Sequence, residues 1–101
     1  MDAKTAGEAT KVNNAWVSGN ISYYKRGNVV FVKISNFKTS NNITSETVVA
    51  TIPAGYRPPQ EIYASSHKGT GKYMSIYGGG NISVYESLES FYSVICYPVW
   101  G

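Results

Sequence analysis

The sequence has one cysteine, one histidine, one leucine and no long apolar run. A lone Cys96 cannot close a disulfide within the chain or build a cysteine zinc cluster. A lone His67 rules out a two-histidine metal site and ties any Ser–His–acid or Cys–His machinery to one position. That position lies beside Lys68-Gly69-Thr70-Gly71, which reads as a turn. No serine sits in a Gly-x-Ser-x-Gly elbow. Glu86 and Glu89, three apart, fall on opposite faces of an extended chain and make a poor glycosidase pair. The chain therefore reads as non-enzymatic, with no metal and no cofactor. Its longest apolar stretches, such as Val29 to Val32, are too short to enter a membrane. No basic start followed by an apolar run marks a secretory signal.

Scarcity of leucine also bears on fold class. Against Leu88 stand ten valines and eight isoleucines, with nine tyrosines, three phenylalanines and two tryptophans. Branching at Cβ restricts the first side-chain torsion, which suits a pleated strand better than a helix. Ser, Thr, Asn and Gly make up much of the remainder, as turns and polar sheet faces require. Only 15% of residues are charged but 43% are hydrophobic, so a packed core is expected. At 101 residues there is room for a single such core.

The net charge is +3, with a sequence pI near 9.0. The cations are scattered as Lys25, Arg26, Lys33, Lys38, Arg57, Lys68 and Lys72 rather than gathered in one stripe, so they read as solubilising charge and no nucleic-acid partner is expected. Two motifs that could suggest otherwise fail on their key positions. Gly69-Thr70-Gly71-Lys72 lacks the first glycine of a phosphate loop, where Ser66 stands, and has Tyr73 where a hydroxyl residue should follow the lysine. Arg26 to Val32 echoes an RNA-recognition strand, but its stacking positions hold Asn28 and Val30. The sequons at Asn20, Asn42 and Asn81 are expected by chance in a chain so rich in Asn and Ser.

Along the chain, residues 1–14 stand apart as a linker or neck. Ala3, Ala6 and Ala9 recur at spacing three with little apolar surface, which predicts a frayed or loosely helical segment. Residues 15–101 form the predicted β-domain. Val17, Ile21 and Tyr23 share one face of a first strand, with Ser18, Asn20, Ser22 and Tyr24 on the other. A two-residue turn at Arg26-Gly27 would set Tyr23 opposite Val30 and Ile21 opposite Val32. This second strand runs through Ile34 towards Phe37, and a polar loop covers Asn36 to Thr44. A further strand spans Thr47 to Ile52, and Pro53, Gly55, Pro58 and Pro59 mark a stiff surface loop. Later strands are expected at Glu61 to Ser65, Tyr73 to Tyr77, Ile82 to Glu86 and Phe91 to Val99. The total of seven or eight antiparallel strands suits a β-sandwich or jelly-roll-like fold.

The turn Gly78-Gly79-Gly80 permits a sharper deduction. Only a three-residue loop, pairing Tyr77 with Asn81, separates polar from apolar side chains across the late hairpin. Met74, Ile76, Ile82 and Val84 then face the core, while Tyr73, Ser75, Tyr77, Asn81, Ser83 and Tyr85 line one polar-aromatic surface. Three roles suit that surface: half-buried sheet packing, a subunit interface, or a platform for a sugar. A sugar offers an apolar C–H face and a rim of hydroxyls, which phenol rings with flanking Ser and Asn can meet. Candidate saccharide-binding residues are thus His67, Tyr73, Ser75, Tyr77, Asn81 and Tyr85.

Four stretches occur in an order that resembles a known module. They are Ala15-Trp16-Val17-Ser18-Gly19, Tyr24-Lys25-Arg26-Gly27-Asn28-Val29-Val30, Thr51-Ile52-Pro53-Ala54-Gly55-Tyr56-Arg57-Pro58-Pro59, and Gly79-Gly80-Asn81-Ile82-Ser83-Val84. Together they resemble the C-terminal head domain of tail-fibre, baseplate and receptor-binding proteins of tailed phages and prophages of Gram-positive bacteria. Asp2 to Gly7 looks like the linker that precedes such tips. The resemblance implies a β-sandwich head, assembled as a homotrimer with other tail or baseplate proteins on the virion, that binds host cell-wall polysaccharide outside the cell. These are scaffold motifs, and no ligand residue carries over from them. Two alternatives stand beside that expectation: a purely structural tail component, and a carbohydrate-binding module of a cell-wall hydrolase. Tyr56 and Arg57, on the proline-stiffened loop, read as structural anchors.

Overall fold

The computed structural model describes residues 6–11, 17–40, 43–66 and 71–99. Among them there is no helix. Nine strands are present: β1 (Ala6–Glu8), β2 (Thr10–Lys11), β3 (Val17–Arg26), β4 (Val29–Thr39), β5 (Thr47–Thr51), β6 (Ile62–Ser65), β7 (Tyr73–Ile76), β8 (Asn81–Val84) and β9 (Phe91–Pro98). They form two antiparallel sheets, in the orders β1-β3-β4-β9 and β2-β5-β8-β7-β6. The fold is an antiparallel β-sandwich. Its core lies between Val17, Ile21, Val30, Val32, Ile34 and Phe37 of one sheet and Ala50, Ala64, Met74, Ile76, Ile82 and Val84 of the other, all buried. The alternation of apolar and polar residues thus delivers one face of each sheet to the interior.

The number of strands exceeds the seven or eight expected because residues 6–11 are extended, not loosely helical. β1 joins one sheet and β2 the other, with the crossing at Ala9, which is buried and donates its N–H to the Ile21 carbonyl at 2.8 Å. Pairing to sheet edges outweighs the weak helical preference of a short alanine-spaced segment. Gly7 leaves room for the Tyr23 ring, since a Cβ there would lie 2.8 Å from the Tyr23 hydroxyl oxygen and the ring would have to shift.

The first hairpin turns one residue later than expected. Gly27 and Asn28 form the turn, with Arg26 opposite Val29, Tyr23 opposite Val32 and Ile21 opposite Ile34. Gly27 has φ 59° and Asn28 has ordinary negative φ, the pattern of a type II′ turn with glycine first. Because the register moves by two residues, every side chain keeps the face assigned from the sequence. β4 also continues to Thr39, beyond the expected start of the polar loop. An extra residue at Asn36 (φ 49°), opposite Gly19 (φ 96°), makes a bulge that lets Phe37 return to the core.

The proline-rich loop is tied down by its two expected anchors. Tyr56 packs on Tyr23 with ring centroids 4.7 Å apart, and its carbonyl accepts the Tyr97 hydroxyl at 2.5 Å. Arg57 Nε donates to the Ile52 carbonyl at 2.8 Å. Removing the Tyr97 hydroxyl by Tyr97→Phe is expected to destabilise the fold by about 1 kcal/mol, as read from denaturant unfolding.

Candidate functional site

The late hairpin has the three-residue loop anticipated from its glycines. Tyr77 N–H donates to the Asn81 carbonyl at 2.9 Å, Gly80 N–H donates to the Tyr77 carbonyl at 2.8 Å, and Gly80 has φ 99°. Ser75 faces Ser83 and Ile76 faces Ile82 in the β7–β8 ladder. Tyr73, Ser75, Tyr77, Asn81, Ser83 and Tyr85 therefore share the outer face of the five-stranded sheet. Met74, Ile76, Ile82 and Val84 are completely buried on the other. His67 lies outside the described residues.

Tyr63 joins this face, because β6 pairs with β7 so that Tyr63 stands opposite Ser75. Its ring meets Tyr73 edge-on at 5.2 Å, and Tyr73 in turn lies 5.2 Å from Tyr85 at a tilt of 38°. Tyr63 and Tyr73 are 58% and 39% exposed, so these rings are open to a ligand. Asn81 is exposed at the end of the row.

Hydroxyl groups hold the rings. Tyr85 and Ser75 share a hydrogen bond of 2.5 Å, Tyr77 donates to Glu46 Oε2 at 2.5 Å, and the Tyr77 and Tyr85 hydroxyls are 3.3 Å apart. Ser75, taken from the sequence as a ligand group, is instead fully buried and serves to fix Tyr85. Ser83, directly across from it, is 1% exposed, and its Oγ has no partner. Glu46, Glu61 and Tyr63 are not singled out by the sequence, and Ser83, which the sequence places on this surface, is not among its ligand candidates. The parity of residues 61–65 carried a signal for Tyr63, but only the β6–β7 register places it beside Tyr73.

The carboxylates also set the titration of this surface. The hydrogen bond to Glu46 is the leading cause that raises the Tyr77 phenol far above the ordinary tyrosine value, followed by the bond to Tyr85. Charge on Glu61 is the leading cause that raises Tyr63. Away from this face, burial raises Tyr23 and Tyr97. All four shifts favour the neutral phenol in the folded state. Stability from them is complete below about pH 10 and declines as pH rises beyond it, since the unfolded chain then releases protons that the native chain retains. An ultraviolet titration should show these four phenols lagging until the protein unfolds.

Compared with protein families, with curated proteins and with solved structures, the chain matches none of them. The site must be judged on its own chemistry.

Charge is unevenly placed between the two sheets. The five-stranded sheet holds only Lys11, on its edge strand β2, whereas β3 and β4 hold Lys25, Arg26, Lys33 and Lys38. The outer face of the four-stranded sheet also carries an apolar row. Ala6 stands opposite Tyr24, Tyr24 opposite Phe31, and Phe31 opposite Cys96. Tyr24 and Phe31 stack at 4.9 Å, and Tyr24, Tyr92 and Val94 are exposed. A depression of about 310 Å³ at the proline loop is lined by Gly55, Arg57, Pro58, Pro59, Gly78 and Val99. Its single charged side chain is the Arg57 already bonded to Ile52.

Proposed function

We propose that this chain is a non-enzymatic adhesion module of a phage tail tip, which holds host cell-surface saccharide on the outer face of its five-stranded sheet. The observation that carries this reading is the open row Tyr63, Tyr73 and Tyr85, packed ring against ring and anchored at Tyr85 by its bond to Ser75. Ring faces fixed in place lose little side-chain freedom when a sugar stacks on them. Tyr77 and Asn81 then supply polar groups at the border.

The separate apolar row on the other sheet supports self-association as a trimer. Tyr24, Phe31 and Val94 give sister chains a place to meet without consuming the tyrosine face. Several copies on one tip would add avidity to a weak single site on a repeating polymer. The same row favours, as a second reading, a purely structural tail component. Solution mass separates a trimer from a monomer, and Val94→Lys is expected to shift a trimer towards monomer. Binding separates the two roles. Tyr73→Ala is expected to weaken attachment to cell walls of a Gram-positive host about tenfold, with circular dichroism unchanged. Unaltered attachment would favour the structural role.

A further inference from the structure

The tyrosine face is acidic in a protein whose net charge is +3. Glu46 holds one side through its 2.5 Å bond with Tyr77. Glu61 immediately precedes β6, where Ile62 faces Ile76, so the next step outward sets Glu61 against Tyr77. No strand of this sheet from β5 to β8 brings in a lysine or arginine. The nearby Lys72 directs its Nζ to the Ser87 carbonyl at 2.9 Å. Four phenol rings thus lie among two carboxylates, with no cation on these strands to neutralise them.

A second observation points to a ligand on the same face. Ser83 Oγ, on β8, is buried with no partner, two residues before Tyr85 on the same face. A buried hydroxyl without a partner costs about 1–3 kcal/mol, which a ligand's donor would recover only where the side chains covering Ser83 move aside. Carboxylates and the negative faces of aromatic rings both attract the charge of an alkylammonium group, and a primary ammonium also donates hydrogen bonds to the carboxylates. A neutral sugar can stack on the rings and donate hydroxyls to the carboxylates but leaves their charge unbalanced. An anionic one is repelled by them.

Resting on the saccharide-binding reading above, we infer that the ligand is cationic: a saccharide bearing an alkylammonium group, seated over Tyr73 and Tyr85 beside Glu46 and Glu61. Two sources share this chemistry. One is the primary amine of an amino sugar without its acetyl group, and the other is a quaternary ammonium substituent on the polymer.

The test uses the full chain, three probes and tyrosine fluorescence or amide NMR as readout. The probes are a glucosamine tetramer, the N-acetylated tetramer of the same length, and choline. In mildly acidic, low-salt buffer the glucosamine tetramer, choline or both are expected to bind at least tenfold more tightly than the acetylated tetramer. Glu46→Gln and Glu61→Gln should each weaken that binding about fivefold, and added salt should weaken it further. Tighter binding of the glucosamine tetramer than of choline, lost at alkaline pH as its amines give up their protons, assigns the primary amine. The reverse preference among the probes assigns the quaternary group. Equal affinity for the acetylated tetramer, binding by neither cationic probe, or carboxylate variants that bind like the parent protein would each overturn the inference. If the acetylated tetramer binds and Tyr73→Ala abolishes it, the saccharide-binding reading survives while the cationic ligand is lost. Unchanged wall attachment by Tyr73→Ala removes the saccharide reading itself.

Discussion

Gly80→Ala is expected to destabilise the protein by about 3 kcal/mol or more, lowering its melting temperature by roughly 10 °C or beyond. Two penalties combine. Gly80 has φ 99°, where a side chain is strained. An added Cβ would lie 2.5 Å from the Ile52 carbonyl oxygen and 2.4 Å from Arg57 Nε. Those two atoms are hydrogen-bonded to each other, and Ile52 N–H donates to the Gly80 carbonyl at 2.8 Å. Relief of one clash therefore breaks the link between the late hairpin and the proline loop. Gly79→Ala is the matched control. Position 79 has open space and no positive φ, so alanine there should change stability by less than about 0.5 kcal/mol. Comparable losses for both variants would show that the hairpin does not depend on the geometry at Gly80.

Gly19→Ala is expected to be at least as damaging, again by about 3 kcal/mol or more in denaturant unfolding. Its φ is 96°, and a Cβ would fall 2.3 Å from the Asn36 carbonyl oxygen and 2.6 Å from the Phe37 Cα. Both neighbours are backbone, which cannot swing aside as a side chain can. They also belong to the bulge that seats Phe37, so yielding there disturbs the fully buried ring. Gly27→Ala isolates the conformational part of the effect. Gly27 has φ 59° but nothing within 4 Å of a Cβ, and its replacement should cost only about 1 kcal/mol. A Gly19 variant as mild as the Gly27 variant would mean that the close approach to β4 relaxes easily.

Local constraints explain which parts of this architecture were legible in the sequence. At the late hairpin, the run Gly78-Gly79-Gly80 and the alternation on each side leave one register that separates polar from apolar groups, and that register is present. At the first hairpin, turns one residue apart move the register by two and preserve parity, so alternation cannot choose between them. Gly27 as the first turn residue made the choice. Residues 6–11 carry almost no apolar pattern, and they become strands because two sheet edges are free to accept them. The acidic border was hidden for a similar reason. Glu46 and Glu61 lie in loops before β5 and β6, fifteen residues apart, and only the sheet order β5-β8-β7-β6 brings both to the tyrosines. Ser75 looked outward by parity and does lie on the outer face, but the large rings around it cover so small a side chain.

The most direct test of a saccharide-binding tyrosine face is residue-by-residue amide NMR while purified wall polysaccharide from Gram-positive hosts is titrated into the protein. Binding at this face is expected to move the signals of Glu46, Tyr63, Tyr73, Tyr77, Asn81 and Tyr85 together, saturating along a single curve. Shifts confined to β3, β4 and β9, or no shifts with any polysaccharide, would contradict it.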